Sequence, residues 1–404
     1  MNVLILCGVF ASENQQQVID HAKVHVEFSA NIFQQRLVEG FRSNFQTVSV
    51  ISAPFIGSYP NASDIRHFRG FENQQTLCQY VSFHNLWGYR NYSRIHSLKK
   101  ALRSFIDLDE PDKLLVVYSA HTPFLNAAAY AKKKDPRIHT CFYVPDLPAY
   151  MNLNSNRSKF YDFAKTIDIR QMEKCMGYVD SYVLLTPPMK QKLPVGDKPC
   201  LIAEGILPVD TQFTPPQKRP HQYKDIVYTG KLNERFGVPY LLEAFHTIPD
   251  KNCRLVLCGC GDCDKMAQSA AKKDSRIILT GQVSPEIARQ LQQNAAVLVN
   301  PRPNNEEYTK YSFPSKTLDY LITGNPVVAY MLQGMPKDYE RFLYPIQNNL
   351  PPVQAISCAL RQALDIDETT HREKFTSFRL YAKSSLTADI IAKKIVAMAN
   401  YGEI

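Results

Sequence analysis

The chain is 404 residues long, with 45% hydrophobic residues, 21% charged residues and a formal net charge of +9. That length predicts two domains, and the apolar content excludes wholesale disorder. The excess of 47 Lys and Arg over 38 Asp and Glu suits anionic nucleotides, pyrophosphates or an anionic membrane face. No nucleic-acid-binding module accompanies the charge, so nucleic acid is not an expected partner.

Residues 1–7 read as a buried first strand rather than a signal peptide, and no apolar run approaches the roughly 20 residues of a membrane span. The expected location is cytoplasmic, with peripheral docking at the inner membrane face left open. The ten cysteines are expected as reduced thiols.

Residues 3–7 predict a strand, and Gly8 after it permits close approach of the backbone to a ligand. Phe28, Ile32, Leu37 and Phe41 predict one helix face. Aromatic residues gather between 54 and 93, either to stack on a sugar or to pack a loop-rich edge. Arg90, Arg94, Lys99, Lys100 and Arg103 recur at near-helical spacing, as a solvated helix face or a contact for anionic lipid.

Residues 113–119 and 138–144 predict strands around an alanine-rich helix, which implies a parallel sheet with crossover helices. His121 follows the first of these strands and Asp146 the second, where ligand sites of open α/β sheets form. The Asp146 carboxylate suits either a turn cap or a group that takes a hydroxyl proton. A helix over 160–175, a strand over 178–186 and a proline-rich stretch over 208–220 follow, the last marking a domain boundary.

The second half opens on Asp225-Ile226-Val227-Tyr228-Thr229-Gly230, a strand ending in glycine, with Lys231 and Arg235 beyond it. The next strand runs into Gly259-Cys260-Gly261. Cys258, Cys260 and Cys263 lack a second ligand pair, so no metal site is expected. A strand over 277–280 leads to Gly281-Gln282-Val283. Another, over 296–300, leads to Arg302, which either meets a phosphate or pairs with Glu306 or Glu307.

Tyr311-Ser312-Phe313-Pro314-Ser315-Lys316, followed by Asp319 and Gly324-Asn325-Pro326-Val327-Val328, predicts loop, short helix, tight turn and buried strand. Ser312 is the expected cap, and Pro314 suits the first helical turn. Unpaired N–H groups at the helix start and the charge of Lys316 attract phosphate, while Asp319 one turn on suits a ribose diol. The plainer reading is a capped helix with a Lys316–Asp319 surface pair. Helices are predicted over 339–344, 352–364 and 387–401.

Phe313-Pro314-Ser315-Lys316, Asp319-Tyr320 and Gly324-x-Pro326-Val327-Val328 resemble the donor-binding segment of retaining GT-B glycosyltransferases. The nearest group is the bacterial surface-polysaccharide transferases of glycosyltransferase family 4, also called group 1. The resemblance covers the second half of the chain well and the first in outline. It implies an α/β fold with two facing Rossmann-like domains and an interdomain cleft. Residues 1–206 would bind the acceptor and 207–384 the nucleotide sugar, and the helix in 385–404 would pack back on the N-terminal domain.

The implied reaction moves a sugar from a nucleotide diphosphate, with a UDP-sugar expected, to a hydroxyl of a glycan or lipid-linked oligosaccharide. Anomeric configuration would be retained, and no metal or other cofactor is implied. Lys231 and Arg235 would grip the diphosphate, as would Lys316 with the segment from Ser312 to Ser315. Asp319 would hold the ribose, Val283 the base, and Gly8, Gly230, Gly259, Arg302 and Tyr311 would complete the donor contacts. Asp146 and Lys231 would act at the reacting centre, and Asn31 and His121 would meet the acceptor. Two positions depart from the family pattern: Tyr311 stands for its first acid, and Phe236 for its second base. A non-catalytic partner subunit, a nucleotide-sugar epimerase and a phosphorylase stay open as other readings.

Overall fold

The structure is a computed structural model and describes residues 1–10, 17–24, 28–74, 76–148, 159–216 and 223–399. The chain divides into two compact units, Met1–Val209 with Ser385–Ile404, and Asp210–Ser384.

The first unit contains β1 (Asn2–Cys7), α1 (Phe28–Arg42), β2 (Val48–Ser52), β3 (His67–Phe68), β4 (Phe71–Asn73), β5 (Cys78–Tyr80) and β6 (Phe83–His84). It continues with α2 (Arg90–Ala101), β7 (Lys113–Tyr118), α3 (Thr122–Lys134), β8 (Ile138–Val144), α4 (Lys159–Met176), β9 (Ser181–Leu184) and β10 (Cys200–Ile202). Eight strands form one sheet in the order β10-β9-β8-β7-β1-β2-β5-β4, parallel except for β4 against β5. β1 sits at its middle, with Val3 opposite Val48 on one side and Leu114 on the other. β7 is buried along its whole length, the continuous apolar run of a strand covered on both faces. The chain leaves β1 for β2 on one side and returns to β7 on the other. Strand order therefore reverses between β1 and β7, and Gly8 and Ser119 stand at the carboxyl ends there.

The second unit contains β11 (Lys224–Thr229), α5 (Val238–His246), β12 (Cys253–Cys258), α6 (Asp264–Lys273), β13 (Ile277–Gly281) and α7 (Pro285–Asn294). After them come β14 (Val297–Asn300), α8 (Ser315–Leu321), β15 (Val327–Tyr330), β16 (Tyr344–Ile346), α9 (Pro352–Leu364) and α10 (Glu368–Ser385). The sheet is wholly parallel, in the order β13-β12-β11-β14-β15-β16. Its order reverses between β11 and β14, which end at Gly230 and Pro301.

A last helix, α11 (Ala388–Ala399), belongs to the first unit and buries Ile391, Ala392 and Ile395. It lies against α1 because Gly40 has no side chain: a Cβ there would stand 2.2 Å from the Ala388 carbonyl oxygen. Asn44 Nδ2 donates to the Asp389 carbonyl at 2.9 Å, and Leu207 exchanges backbone hydrogen bonds with Leu386 and Ala388.

Both units use one device to enter a strand. Asp135 follows α3 and Asp274 follows α6. Each carboxylate accepts the backbone N–H two residues on, from Arg137 and Arg276 at 3.0 Å, and also receives that arginine's guanidinium. Asp135 additionally pairs with buried Lys113. The arginine bonds hold both carboxyls well below the usual range, Asp274 at about 2. A carboxyl depressed by folding adds stability above its unfolded pKa of about 3.9 and loses it as pH falls through the folded value. Asp274→Asn is therefore expected to cost about 2 kcal/mol at pH 7 and to flatten the loss of stability between about pH 4 and pH 2. Urea unfolding across that range checks it, and an Asp274→Asn protein as stable as wild type at pH 7 would refute it.

Candidate functional site

The second unit concentrates its chemistry at the carboxyl end of β11. Gly230 ends that strand with φ +135°, and Gly259 ends β12 with φ +137°, a backbone region L side chains rarely adopt. A Cβ on Gly259 would stand 2.0 Å from the Gly230 carbonyl oxygen. The two turns are pinned in series: Gly230 N–H donates to Cys258 O, and Gly259 N–H to Gly281 O, both at 2.8 Å.

Lys316 reaches this point from α8. Its Nζ donates to the Thr229 carbonyl at 2.9 Å and lies 4.2 Å from the Tyr228 ring centre. A Cβ on Gly230 would come within 2.5 Å of it. Burial pulls the Lys316 pKa down to about 7; Arg302 pushes the same way, and Asp319 opposes both. Tyr320, four residues on and so on the same helix face, fixes Thr229 as well. Its hydroxyl accepts the Thr229 N–H at 2.9 Å, while Gln292 of α7 donates to Thr229 Oγ1 at 2.9 Å. The sequence reading named Lys316 and Asp319 but missed Tyr320 and Gln292. The four-residue spacing from Lys316 was the available signal for Tyr320.

Arg302 follows β14 and donates through Nη2 to Ser312 Oγ at 2.9 Å. Ser312 thus meets a guanidinium and does not cap α8, which begins at Ser315 with no side-chain cap. That corrects the expected cap. Arg302 Nε is buried and unpartnered. Glu306 pairs with Arg235 at 3.3 Å, so the Glu306 option for Arg302 does not hold. Both guanidiniums lie against Tyr308, at 4.7 and 4.8 Å from its ring centre, and about equally near Phe236. Arg235 is exposed on the outside of this stack, as is Lys231 beside Gly230. The Lys231 carbonyl accepts the Tyr228 hydroxyl at 2.7 Å. Tyr311, Phe313 and Pro314 are buried, with Phe313 edge-on to Tyr339 at 5.1 Å; Ser315 is exposed and Asp319 half-buried. Val283 is half-buried in the turn after β13.

The first unit builds a separate cavity at its own strand-order reversal. Gly8 N–H donates to Gln34 Oε1 at 2.7 Å and Phe10 N–H to Asn31 Oδ1 at 2.9 Å. The Asn31 side-chain oxygen is therefore engaged in shaping the β1 loop. Gln34, three residues on along α1, was missed in the sequence despite that helical spacing. Ser119 ends β7 with φ +78°, unusual for a residue with a side chain, and its N–H donates to Tyr143 O at 2.9 Å. The chain then enters α3 at His121.

The His121 ring is edge-on to Phe55 at 5.5 Å and tilted against Phe124 at 5.0 Å, and its Nδ1 is buried without a partner. Burial, then Arg94 and Arg90, hold its pKa well below the ordinary value, so the imidazole is neutral. A cavity of about 510 Å³ is lined by Gly8, Asn31, Gln34, His121, Asp146 and their neighbours. Asp146 is exposed and adds to the raised pKa of Tyr118, which burial chiefly causes. Arg94 also lines this cavity and is only 1% exposed. That overturns the solvated-face reading of α2 at this position.

Among the described residues no three His, Cys, Asp or Glu side chains gather as metal ligands, and no helix is long and apolar enough to cross a membrane.

Residues 223–362 match the profile of the family described as glycosyl transferases group 1. No curated protein matches the chain in sequence. Among solved structures, the lipopolysaccharide outer core galactosyltransferase WaaB aligns with TM-score 0.61 at 13% identity, covering 99% of both chains. Anabaena HepE in complex with UDP aligns with TM-score 0.61 at 10% identity, covering 99% of this chain and 100% of its own. The UDP-forming α,α-trehalose-phosphate synthase from Burkholderia xenovorans, in complex with glucose-6-phosphate, aligns with TM-score 0.63 at 10% identity over the same shares. The fold is that of the GT-B glycosyltransferases, and residues 223–362 are similar to the group 1 glycosyl transferases.

Proposed function

We propose that this protein transfers a sugar from a UDP-sugar to a hydroxyl of a glycan or lipid-linked oligosaccharide, with retention, in the synthesis of a surface polysaccharide or another glycan. The observation that carries this reading is the Lys316 ammonium laid against the Gly230 turn inside the group 1 domain. The neighbours named for UDP complexes and for galactosyl or trehalose-phosphate transfer support the same donor class.

The departing UDP carries growing negative charge, and fixed cations are what lower that barrier. Lys316 and Arg302 stand at the two strand ends that flank the β11–β14 reversal, and Lys231 is exposed beside them. Gly230 and Gly259 keep the backbone bare, so phosphate oxygens can approach it. Asp319 accepts the ribose hydroxyls, and the backbone at Val283 meets the base. In the first unit Asp146 stabilises positive charge on the sugar or receives the acceptor proton in concert with the leaving phosphate. The cations already balance the diphosphate, so turnover requires no metal, and the reaction takes place at the cytoplasmic membrane face. A non-catalytic partner subunit is the second reading. It is favoured by the burial of Tyr311, at 6% exposure, where the family pattern places an acid.

UDP is expected to raise the melting temperature of the wild type, and Lys316→Ala and Asp319→Ala are each expected to weaken it at least about tenfold, roughly 1.4 kcal/mol. Unchanged UDP affinity in both variants would remove the assigned site. Lys316, with its pKa near 7, is mostly neutral at pH 8, whereas a bound diphosphate favours the ammonium. UDP binding at pH 8 is therefore expected to take up a proton, read by calorimetry in buffers of different ionisation enthalpy. Loss of that uptake in Lys316→Met assigns it, and equal uptake in the variant contradicts it. Transfer is expected to survive EDTA; its abolition would show that a metal is needed.

A further inference from the structure

α2 turns two arginines inward. Arg94 donates through Nη2 to the Pro54 carbonyl at 2.6 Å, and its guanidinium lies 4.2 Å from the Phe83 ring centre. Its Nε is buried with no partner. Arg90, one turn earlier, donates through Nη1 to the Ile56 carbonyl at 3.0 Å. Both line the cavity at the carboxyl ends of β1 and β7, and His121 lines it too with its own unpartnered Nδ1.

Among the described residues, no carboxylate pairs with either arginine of this cluster; each bonds a neutral carbonyl of the 54–56 loop. Asp146, the one carboxylate among the described residues that line the cavity, is itself exposed. A buried charge is costly unless an opposite charge meets it, and two adjacent like charges repel as well. The unpartnered Arg94 Nε is a donor of the kind that carboxylates and phosphates accept with charge assistance. Burial of Arg94 in a cavity also removes it from any flat membrane surface, so the reading of α2 as a lipid contact does not account for it.

We infer that the cavity of the first unit binds an oxyanion of the acceptor, a phosphate ester or a sugar carboxylate, held by Arg90 and Arg94 with His121 beside them. The inference rests on the proposal that this unit holds the acceptor, and it makes that acceptor a negatively charged glycan or sugar phosphate. His121, neutral in the free protein, gives a polar contact without adding a third charge. Asp146 lines the same cavity and is exposed.

The test uses the full chain carrying Lys316→Ala, so that phosphate binding in the second unit is suppressed. Inorganic phosphate, glucose 6-phosphate, glucuronate and glucose are titrated calorimetrically at fixed ionic strength. At least one charged probe is expected to bind tenfold or more tighter than glucose, and Arg90→Gln in the same background is expected to lose tenfold or more. A preference for the phosphates names a phosphate ester, and a preference for glucuronate names a carboxylate. Arg94→Lys, checked for folding by circular dichroism, is expected to weaken the same probes while leaving glucose unchanged. Charged probes that bind no better than glucose, or bind Arg90→Gln unchanged, overturn the inference. Wild-type UDP binding is measured alongside. UDP binding without the anion effect sinks this inference alone, and the anion effect without UDP binding sinks the donor assignment while leaving the anion site standing.

Discussion

Two strand ends in the second unit, at Gly230 and Gly259, meet so closely that no side chain fits between them. The chemistry of the unit is arranged on that meeting. Because the backbone there is bare, its N–H and C=O groups are fixed by neighbouring turns rather than shielded by side chains. Because Thr229 is clamped by Tyr320 and Gln292, its carbonyl is a rigid seat for the Lys316 ammonium. The seat is poor for a charge: a carbonyl and a tyrosine face replace bulk water, and the lysine pKa falls toward neutrality. A group held in that condition gains most from an arriving anion.

The first unit solves a related problem with other parts. Its strand order also reverses at the middle of the sheet, and its first loop is held by side-chain amides, Gln34 on Gly8 and Asn31 on Phe10. Where the second unit places one lysine, this unit places two arginines, Arg94 stacked on Phe83, near a histidine packed on Phe55 and Phe124. Arginine keeps its charge under burial far better than lysine, which favours permanent cations here and a titratable one in the second unit.

Much of the fold was legible in the sequence. Mainly apolar stretches at 113–118 and 138–144 around an alanine-rich helix read as covered parallel strands, and 352–364 gave α9 with its observed bounds. α10 was not legible, because in ETTHREKFTSFRLYAKSS only Phe375, Phe378 and Ala382 are buried and the period is faint. β3 and β6 are two residues each and carry no period at all. At the candidate site, Lys316, Gly230 and Gly259 stood out because the segments around them resemble the donor-binding segments of GT-B glycosyltransferases. Arg94 did not, since helical spacing of basic residues looks the same whether the face meets water or a cavity. Only the packing of α2 against the 54–56 loop decides that.

The central claim is that the Lys316 seat, in the segment similar to group 1 glycosyl transferases, serves a sugar-diphosphate donor. Its most direct test is release of UDP from a panel of UDP-sugars, with and without added acceptor, by wild type and by Lys316→Ala. The account predicts UDP release by the wild type from at least one member of the panel, and its loss in the variant. No release from any member by a folded wild-type protein, or equal release by the variant, would contradict it and favour a partner subunit or another seat for the donor.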